Sequence, residues 1–250
     1  MISPHEELPR TDHIRHPETF RLSRIRATAR AIIRRRYKIV LHHPERVPMR
    51  GPVVFAANHV GVLDGPILAI FSPRPVHALT KREMFRGRMG RFLLKAGQIS
   101  VDRFQTDPLA VKISLRVLRD AGAVGIFPEG GRGAGELELF HRGAAYLAMV
   151  TGAPVVPVIM VGTREPGGHS NSMPPRGTVI EVVYGEPIRF EQTPWPRTRS
   201  AVGDASRKLR ERMLQDLDAA LELTGRQLPG PLPRGEREPD PGGGVTEKSA

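Results

Sequence analysis

Five consecutive small or apolar residues, Val53-Val54-Phe55-Ala56-Ala57, stop at Asn58-His59 and give way to a glycine, an aspartate and a second apolar run from Ile67 to Ile70. An apolar run this short, with no polar alternation, fits a strand covered on both faces. Such a strand belongs to a layered sheet with helices above and below it. Its abrupt end delivers His59 and, five residues later, Asp64 to the carboxyl end of the strand. In open α/β sheets that end is where ligands bind.

The rest of the chain repeats this design. Residues 76–80 read as a strand followed by Lys81-Arg82-Glu83-Met84-Phe85, residues 88–96 as a short helix, and residues 97–103 as a strand closing on Asp102-Arg103. A helix over 107–120 leads to an apolar strand over 123–127, which opens into Pro128-Glu129-Gly130-Gly131-Arg132-Gly133. Residues 140–151 are helical in pattern, and 154–161 and 178–184 read as strands. Over 197–223 a final helix places Leu209, Met213, Leu214, Leu217 and Leu221 on one face. Strands alternating with helices predict a single α/β domain with a mainly parallel sheet flanked by helices. A length of 250 residues suits that reading. Residues 1–17, with three prolines and no apolar period, are expected to form a flexible arm, and residues 225–250, rich in Pro, Gly and charge, a disordered tail.

A formal net charge of +12 exceeds what solubility needs, so an anionic partner is implied: nucleic acid, an acidic lipid surface or a phosphorylated substrate. Much of the charge lies in 19–40, where Leu22, Ile25, Ala29, Ile32, Ile33, Tyr37 and Val40 recur at helical spacing among eight Arg and Lys residues. This basic amphipathic helix can pack on the domain with solvated arginines, or attach to an anionic bilayer. The chain has no cysteine, which removes disulfides, thiolate nucleophiles and thiolate zinc sites. No stretch approaches the roughly 20 apolar residues of a spanning helix, and MISPHEELPR lacks a signal-peptide core. The expectation is a cytoplasmic protein, soluble or lying on a membrane.

Three readings of His59 with Asp64 are open: a histidine satisfied in a turn, a metal pair, or an acid/base pair. The metal reading lacks a third ligand nearby, because His42 and His43 precede the strand and His77 lies on another. The acid/base reading has a physical basis, since a carboxylate on Nδ1 fixes the tautomer that leaves Nε2 able to accept a proton. There is no G-x-S-x-G elbow to host an acyl-enzyme, so direct transfer between two substrates is the economical route. In the 127–133 stretch, glycines let backbone N–H groups approach an anion and Arg132 adds a planar fork suited to phosphate; the bland reading is an ordinary glycine-rich loop. Arg103 is a second phosphate candidate or half of a surface ion pair with Asp102. Glu129 beside a phosphate must orient an arginine or accept from a substrate hydroxyl.

Taken together, these stretches resemble the four blocks of the glycerophospholipid acyltransferases, the family of 1-acylglycerol-3-phosphate acyltransferases. Asn58-His59-Val60-Gly61-Val62-Leu63-Asp64 is similar to their N-H-x4-D block, and Gly97 to Arg103 to the second block. Phe127 to Gly133 resembles F-P-E-G-T-R-S, and Val155-Val156-Pro157-Val158 the proline-centred fourth block. The resemblance implies a glycerolipid acyltransferase fold over 18–224, with the amphipathic helix at 19–40, a catalytic core at 50–190 and the closing helix at 197–223. It implies that His59 is the general base, oriented by Asp64. The acceptor would be held by Asn58, Lys81, Arg103, Glu129, Gly130, Gly131 and Arg132. It also implies a lysophospholipid acceptor, acyl-CoA or acyl-carrier protein as co-substrate, no metal or organic cofactor, an anionic membrane surface and no nucleic acid. The site would lie on the cytoplasmic face of the membrane. Two departures bear on the headgroup: Gly131 and Gly133 replace the hydroxyl residues of the third block, and His141 stands where a basic residue usually follows Phe140.

Overall fold

Every residue of strand β2 (Val53–Ala57) is buried, because helices close over both faces of the sheet. Val54 and Ala56 enter one core with Leu115, Leu118, Leu147 and Leu209. Val53, Phe55 and Ala57 enter a second core on the opposite face with Ile67, Leu68, Phe71 and Tyr37. This division follows from the two-residue period of a strand.

The computed structural model describes residues 7–236. The other strands are β1 (Lys38–His42), β3 (His77–Lys81), β4 (Ile99–Val101), β5 (Ala123–Ile126), β6 (Val155–Val161) and β7 (Val179–Tyr184), in the sheet order β1-β7-β6-β2-β5-β3-β4. Only the β6–β7 pairing is antiparallel. Strands β2 to β6 therefore run the same way and release their carboxyl ends along one edge. The α/β architecture with a mainly parallel sheet is the one the sequence predicts. Pro157 is tolerated inside β6 because its carbonyl faces Gly185, at 2.9 Å, where pairing with β7 has only begun; its missing N–H leaves no gap in the ladder to β2.

The helices are α1 (Thr19–Arg36), α2 (Asp64–Phe71), α3 (Gly87–Lys95), α4 (Pro108–Arg119), α5 (Gly143–Thr151) and α6 (Arg199–Thr224). Asp107 caps α4 through Ala110 N–H, with Pro108 at the first position. Thr198 caps α6, which ends on Gly225 in the left-handed region. Helix α2 has no such C-terminal glycine. Its last carbonyls, at Ile70 and Ser72, accept from Arg26 and Arg30 of α1, which also places positive charge at the negative end of the helix.

Beyond shifts of one to three residues at other element ends, three parts of the chain differ from the sequence reading. The first helix stops at Arg36 instead of reaching residue 40, and Lys38–His42 joins the sheet edge beside β7. Tyr37 and Val40 fit the helical period, but residues 38–42 also fit a short strand, and pairing with β7 decides between them. In the N-terminal arm, residues 7–17 lie against α4, where Arg119 donates to Pro9 O and Thr11 Oγ1 at 2.8 and 2.9 Å and Thr11 is buried. Within the predicted tail, residues 225–236 fold back on the domain and bury Leu232; residues 1–6 and 237–250 lie outside the described part.

Candidate active site

Strand β2 ends at Ala57, and the side chain of Asn58 turns inward to grip β6: its Oδ1 accepts from Met160 N–H at 2.7 Å and its Nδ2 donates to Met160 O at 3.1 Å. The next residue, His59, consequently faces the opposite way, into a cavity of about 1680 Å³. The chain then doubles back so that Asp64, the first residue of α2, meets the imidazole. Asp64 Oδ2 accepts from His59 Nδ1 at 2.7 Å, from Val60 N–H at 2.7 Å and from Gly61 N–H at 2.8 Å. Gly61 permits the turn, because a Cβ there would meet Thr163 O at 2.5 Å. With Asp64 fully buried at a helix N-terminus, an acceptor-only carboxylate dictates that Nδ1 carries the proton. Nε2 is left as the basic nitrogen.

The strand beside β2 supplies the second wall. Phe127, just past β5, stacks on the His59 ring with centroids 4.2 Å apart and planes 24° from parallel, so the imidazole is fixed by a ring face as well as by a carboxylate. Glu129 follows, 8% exposed, and its Oε1 accepts from His59 N–H at 2.7 Å. Burial pushes its carboxyl up to about 8, with the charge of Asp64 acting in the same direction and the N–H groups of His59 and Leu137 pulling it down. Gly130 adopts φ 70 to make the tight turn back to Phe127 O.

Beyond these loops, the carboxyl ends of β3 and β4 bring Lys81 and Arg103 to the same cavity, and Arg132 and Gly130 also line it. Arg103 Nη1 donates to Gly130 O at 2.6 Å, tying the β4 end to the glycine loop. Arg132 Nη1 donates to Ser170 O and Asn171 Oδ1 at 2.7 and 2.8 Å. The structure thus gathers His59, Asp64, Lys81, Arg103, Gly130 and Arg132, which came from four separate stretches. It does not place Asn58, Glu129 or Gly131 on the cavity wall. Asn58 is committed to the β6 backbone, and Glu129 is turned beneath the loop to brace His59.

Arg164 is a participant the sequence reading missed. It is 2% exposed, and it donates through Nε to Val60 O at 2.8 Å and through Nη2 to Gly133 O at 2.9 Å and Gly230 O at 2.6 Å. One guanidinium therefore clamps the histidine turn, the glycine loop and the C-terminal segment together. Burial lowers its pKa from the ordinary guanidinium value, with the charges of Asp64 and Glu236 opposing that shift. Among the described residues, no three His, Asp or Glu side chains converge as a metal ion would need. The arrangement can take a proton from a hydroxyl at His59 while a neighbouring group of cations holds an anion on the same molecule.

A family model described as Acyltransferase matches residues 38–161, the span from β1 to the end of β6. The chain is 29% identical over 161 residues to the 1-acyl-sn-glycerol-3-phosphate acyltransferase of Bacillus subtilis (strain 168), covering 64% of this chain and 78% of that protein. It is 29% identical over 132 residues to the protein of the same name from Borreliella burgdorferi, covering 51% of this chain and 52% of that one. With the human 1-acyl-sn-glycerol-3-phosphate acyltransferase beta it shares 31% over 121 residues, covering 46% of this chain and 44% of the human protein. It therefore spans about half the length of these last two relatives. The fold also matches the crystal structure of the 1-acyl-sn-glycerophosphate (LPA) acyltransferase, PlsC, from Thermotoga maritima, with a TM-score of 0.61 over 82% of this chain and 80% of that one. At 20% sequence identity, that likeness speaks for the fold alone.

Proposed function

The chain belongs to the PlsC-like glycerophospholipid acyltransferases, enzymes that transfer an acyl group to an oxygen, and we propose that it acylates the free hydroxyl of 1-acylglycerol 3-phosphate to give phosphatidic acid. One observation carries this reading: His59, bonded to Asp64 at 2.7 Å, lines a cavity that Arg103 and Arg132 also line.

The acceptor hydroxyl gives its proton to His59 Nε2 as its oxygen bonds the thioester carbonyl carbon. Asp64 stabilises the imidazolium that forms. When the tetrahedral intermediate collapses, the C–S bond breaks, the proton passes from Nε2 to the departing thiolate, and His59 is neutral again. No acyl-enzyme is required, and no metal or organic cofactor has a step to perform. Lys81, Arg103 and Arg132 hold the acceptor phosphate with Gly130 beside them, while Glu129 and Asn58 hold the backbone that aims the histidine. The cavity exceeds the roughly 300–1,000 Å³ of ordinary small-molecule sites, as two acyl chains demand. The thiol carrier is CoA or acyl-carrier protein, and the enzyme works peripherally on the cytoplasmic face of an anionic membrane.

The test is an acceptor screen with the purified full chain, run with labelled acyl-CoA and with labelled acyl-carrier protein. Lysophosphatidate is expected to give the highest kcat/KM, with phosphatidic acid as product. No transfer to lysophosphatidate from either donor, or faster transfer to an acceptor lacking phosphate, would overturn the assignment. Preference for glycerol 3-phosphate or another lysophospholipid would overturn the acceptor alone, whereas preference for a lyso-aminolipid, which has no phosphate, would overturn the phosphate-binding reading with it.

A further inference from the structure

Most of the apolar stripe of helix α1 is taken up by the protein itself. Leu22 is buried, Ile33 packs against the core around Tyr37, and Arg26 and Arg30 are bonded to the end of α2. Ile32 is left exposed at 63% amid the outward arginines of α1, a lone large side chain that makes no continuous apolar face.

The segment from Lys81 to Lys95 is different. It carries six cations, Lys81, Arg82, Arg86, Arg88, Arg91 and Lys95, against a single carboxylate, Glu83. In the same fifteen residues four large apolar side chains are exposed: Met84, Met89, Phe92 and Leu94 at 37%, 52%, 49% and 59%. A helix packed on a domain normally turns such residues inward; α3 leaves them in water. Arg88, Arg91 and Lys95 share one stripe at helical spacing. Met89, Phe92 and Ala96 share another, and that stripe lines the cavity holding His59. Met84, Met89 and Phe92 therefore carry the cavity mouth out to the exposed surface, while Leu94 is exposed on the other side of the cationic stripe.

We propose that α3, with the turn before it, is the element that seats this enzyme on an anionic bilayer. The Arg88-Arg91-Lys95 stripe meets lipid phosphates, while the apolar side chains flanking it enter the acyl boundary, Met84, Met89 and Phe92 on the side that opens the cavity to lipid and Leu94 on the other. This rests on the acyl-transfer reading and adds where the lipid enters. An acidic protein would also be drawn to the cations. It gives no reason for four exposed apolar side chains beside a cavity mouth, whereas a bilayer needs both features together.

The test is co-sedimentation of the full chain with vesicles of phosphatidylcholine alone and of phosphatidylcholine with one third phosphatidylglycerol. The variants are Leu94→Glu and the pair Arg91→Glu with Lys95→Glu; none of the three residues lines the cavity. Binding to the anionic vesicles is expected to fall by at least about tenfold in each variant, with turnover of detergent-dispersed lysophosphatidate within about threefold of the parent. Unchanged vesicle binding in both variants, with loss instead in Arg21→Glu with Arg24→Glu on α1, would overturn the proposal. So would unchanged vesicle binding with a raised KM for acyl-carrier protein alone, which would mark the face as a protein dock. Vesicle binding is read without turnover, so a failed acceptor assignment leaves this result interpretable.

Discussion

Replacing Asp64 with asparagine removes one charge and almost no volume, and the structure fixes how the amide must sit. Oδ2 accepts three hydrogen bonds, from His59, Val60 and Gly61, so only the amide oxygen fits there. The new NH2 group falls where Oδ1 has no partner. His59 then keeps its tautomer but loses the anion 2.7 Å away that stabilises its protonated form. With an effective dielectric constant near 20, a charge pair at this separation is worth about 6 kcal/mol, and the amide dipole restores part of it. A net loss of about 3–5 kcal/mol lowers kcat by about 10²- to 10⁴-fold. The acceptor KM should hold, since Asp64 is fully buried. Release of CoA thiol can be followed directly with a thiol reagent, because the chain contains no cysteine of its own. Asp64→Ala serves as the contrast: it orphans the buried N–H groups of Val60 and Gly61 at about 1–3 kcal/mol each, so it lowers Tm as well as rate. If Asp64→Asn turned over within tenfold of the parent, stabilisation of the His59 imidazolium by the Asp64 charge would be refuted.

Glu129, pushed up to about 8 by burial from an ordinary 4.5, is largely protonated at pH 7, so Glu129→Gln should stay within about threefold in kcat/KM. A raised acid in the folded state loses stability as pH rises through 4.5 to 8, so Tm against pH should slope downward there in the parent and flatten in Glu129→Gln. His77 runs the other way: burial lowers it from 6.5 to about 4 while its Nδ1 bonds Gly97 O. Stability should therefore fall as pH drops from 6.5 to 4, by about 3 kcal/mol in total. Urea unfolding of His77→Asn should show less of that loss. Arg164→Met removes a buried clamp from three loops and is expected to cost about 3–5 kcal/mol in denaturation, with a fall in kcat when measured below its lowered Tm. Arg103→Ala or Arg132→Ala should raise the KM for lysophosphatidate by ten- to a hundredfold and leave kcat within about threefold, read from full saturation curves.

The parts of the site that could be read from the chain are those written within one strand and its following turn. His59 and Asp64 are five residues apart, and Phe127 to Gly133 is one loop, so local spacing already brings their groups together. Arg164 could not be found this way: its partner Val60 is 104 residues distant, and the contact exists only because β6 lies beside β2. The Phe127 stack depends likewise on β5 lying on the other side of β2. Asn58 and Glu129 were identifiable as residues of the site but not in their orientation, since which face a side chain takes after a strand ends is settled by neighbouring strands. The α3 face carried a legible helical pattern, yet only burial distinguishes an apolar stripe that packs from one left in solvent. The start of Lys38–His42 was lost to the helix before it because Tyr37 and Val40 continue the helical spacing of the residues upstream.

The central claim is that His59 accepts the proton of the attacking hydroxyl. The measurement that bears on it most directly is single-turnover transfer from labelled acyl-CoA to lysophosphatidate by His59→Ala, with thermal unfolding recorded on the same preparation. The account predicts a rate reduced by at least about 10³-fold at a Tm within a few degrees of the parent. Transfer at the parental rate by the well-folded variant would contradict it.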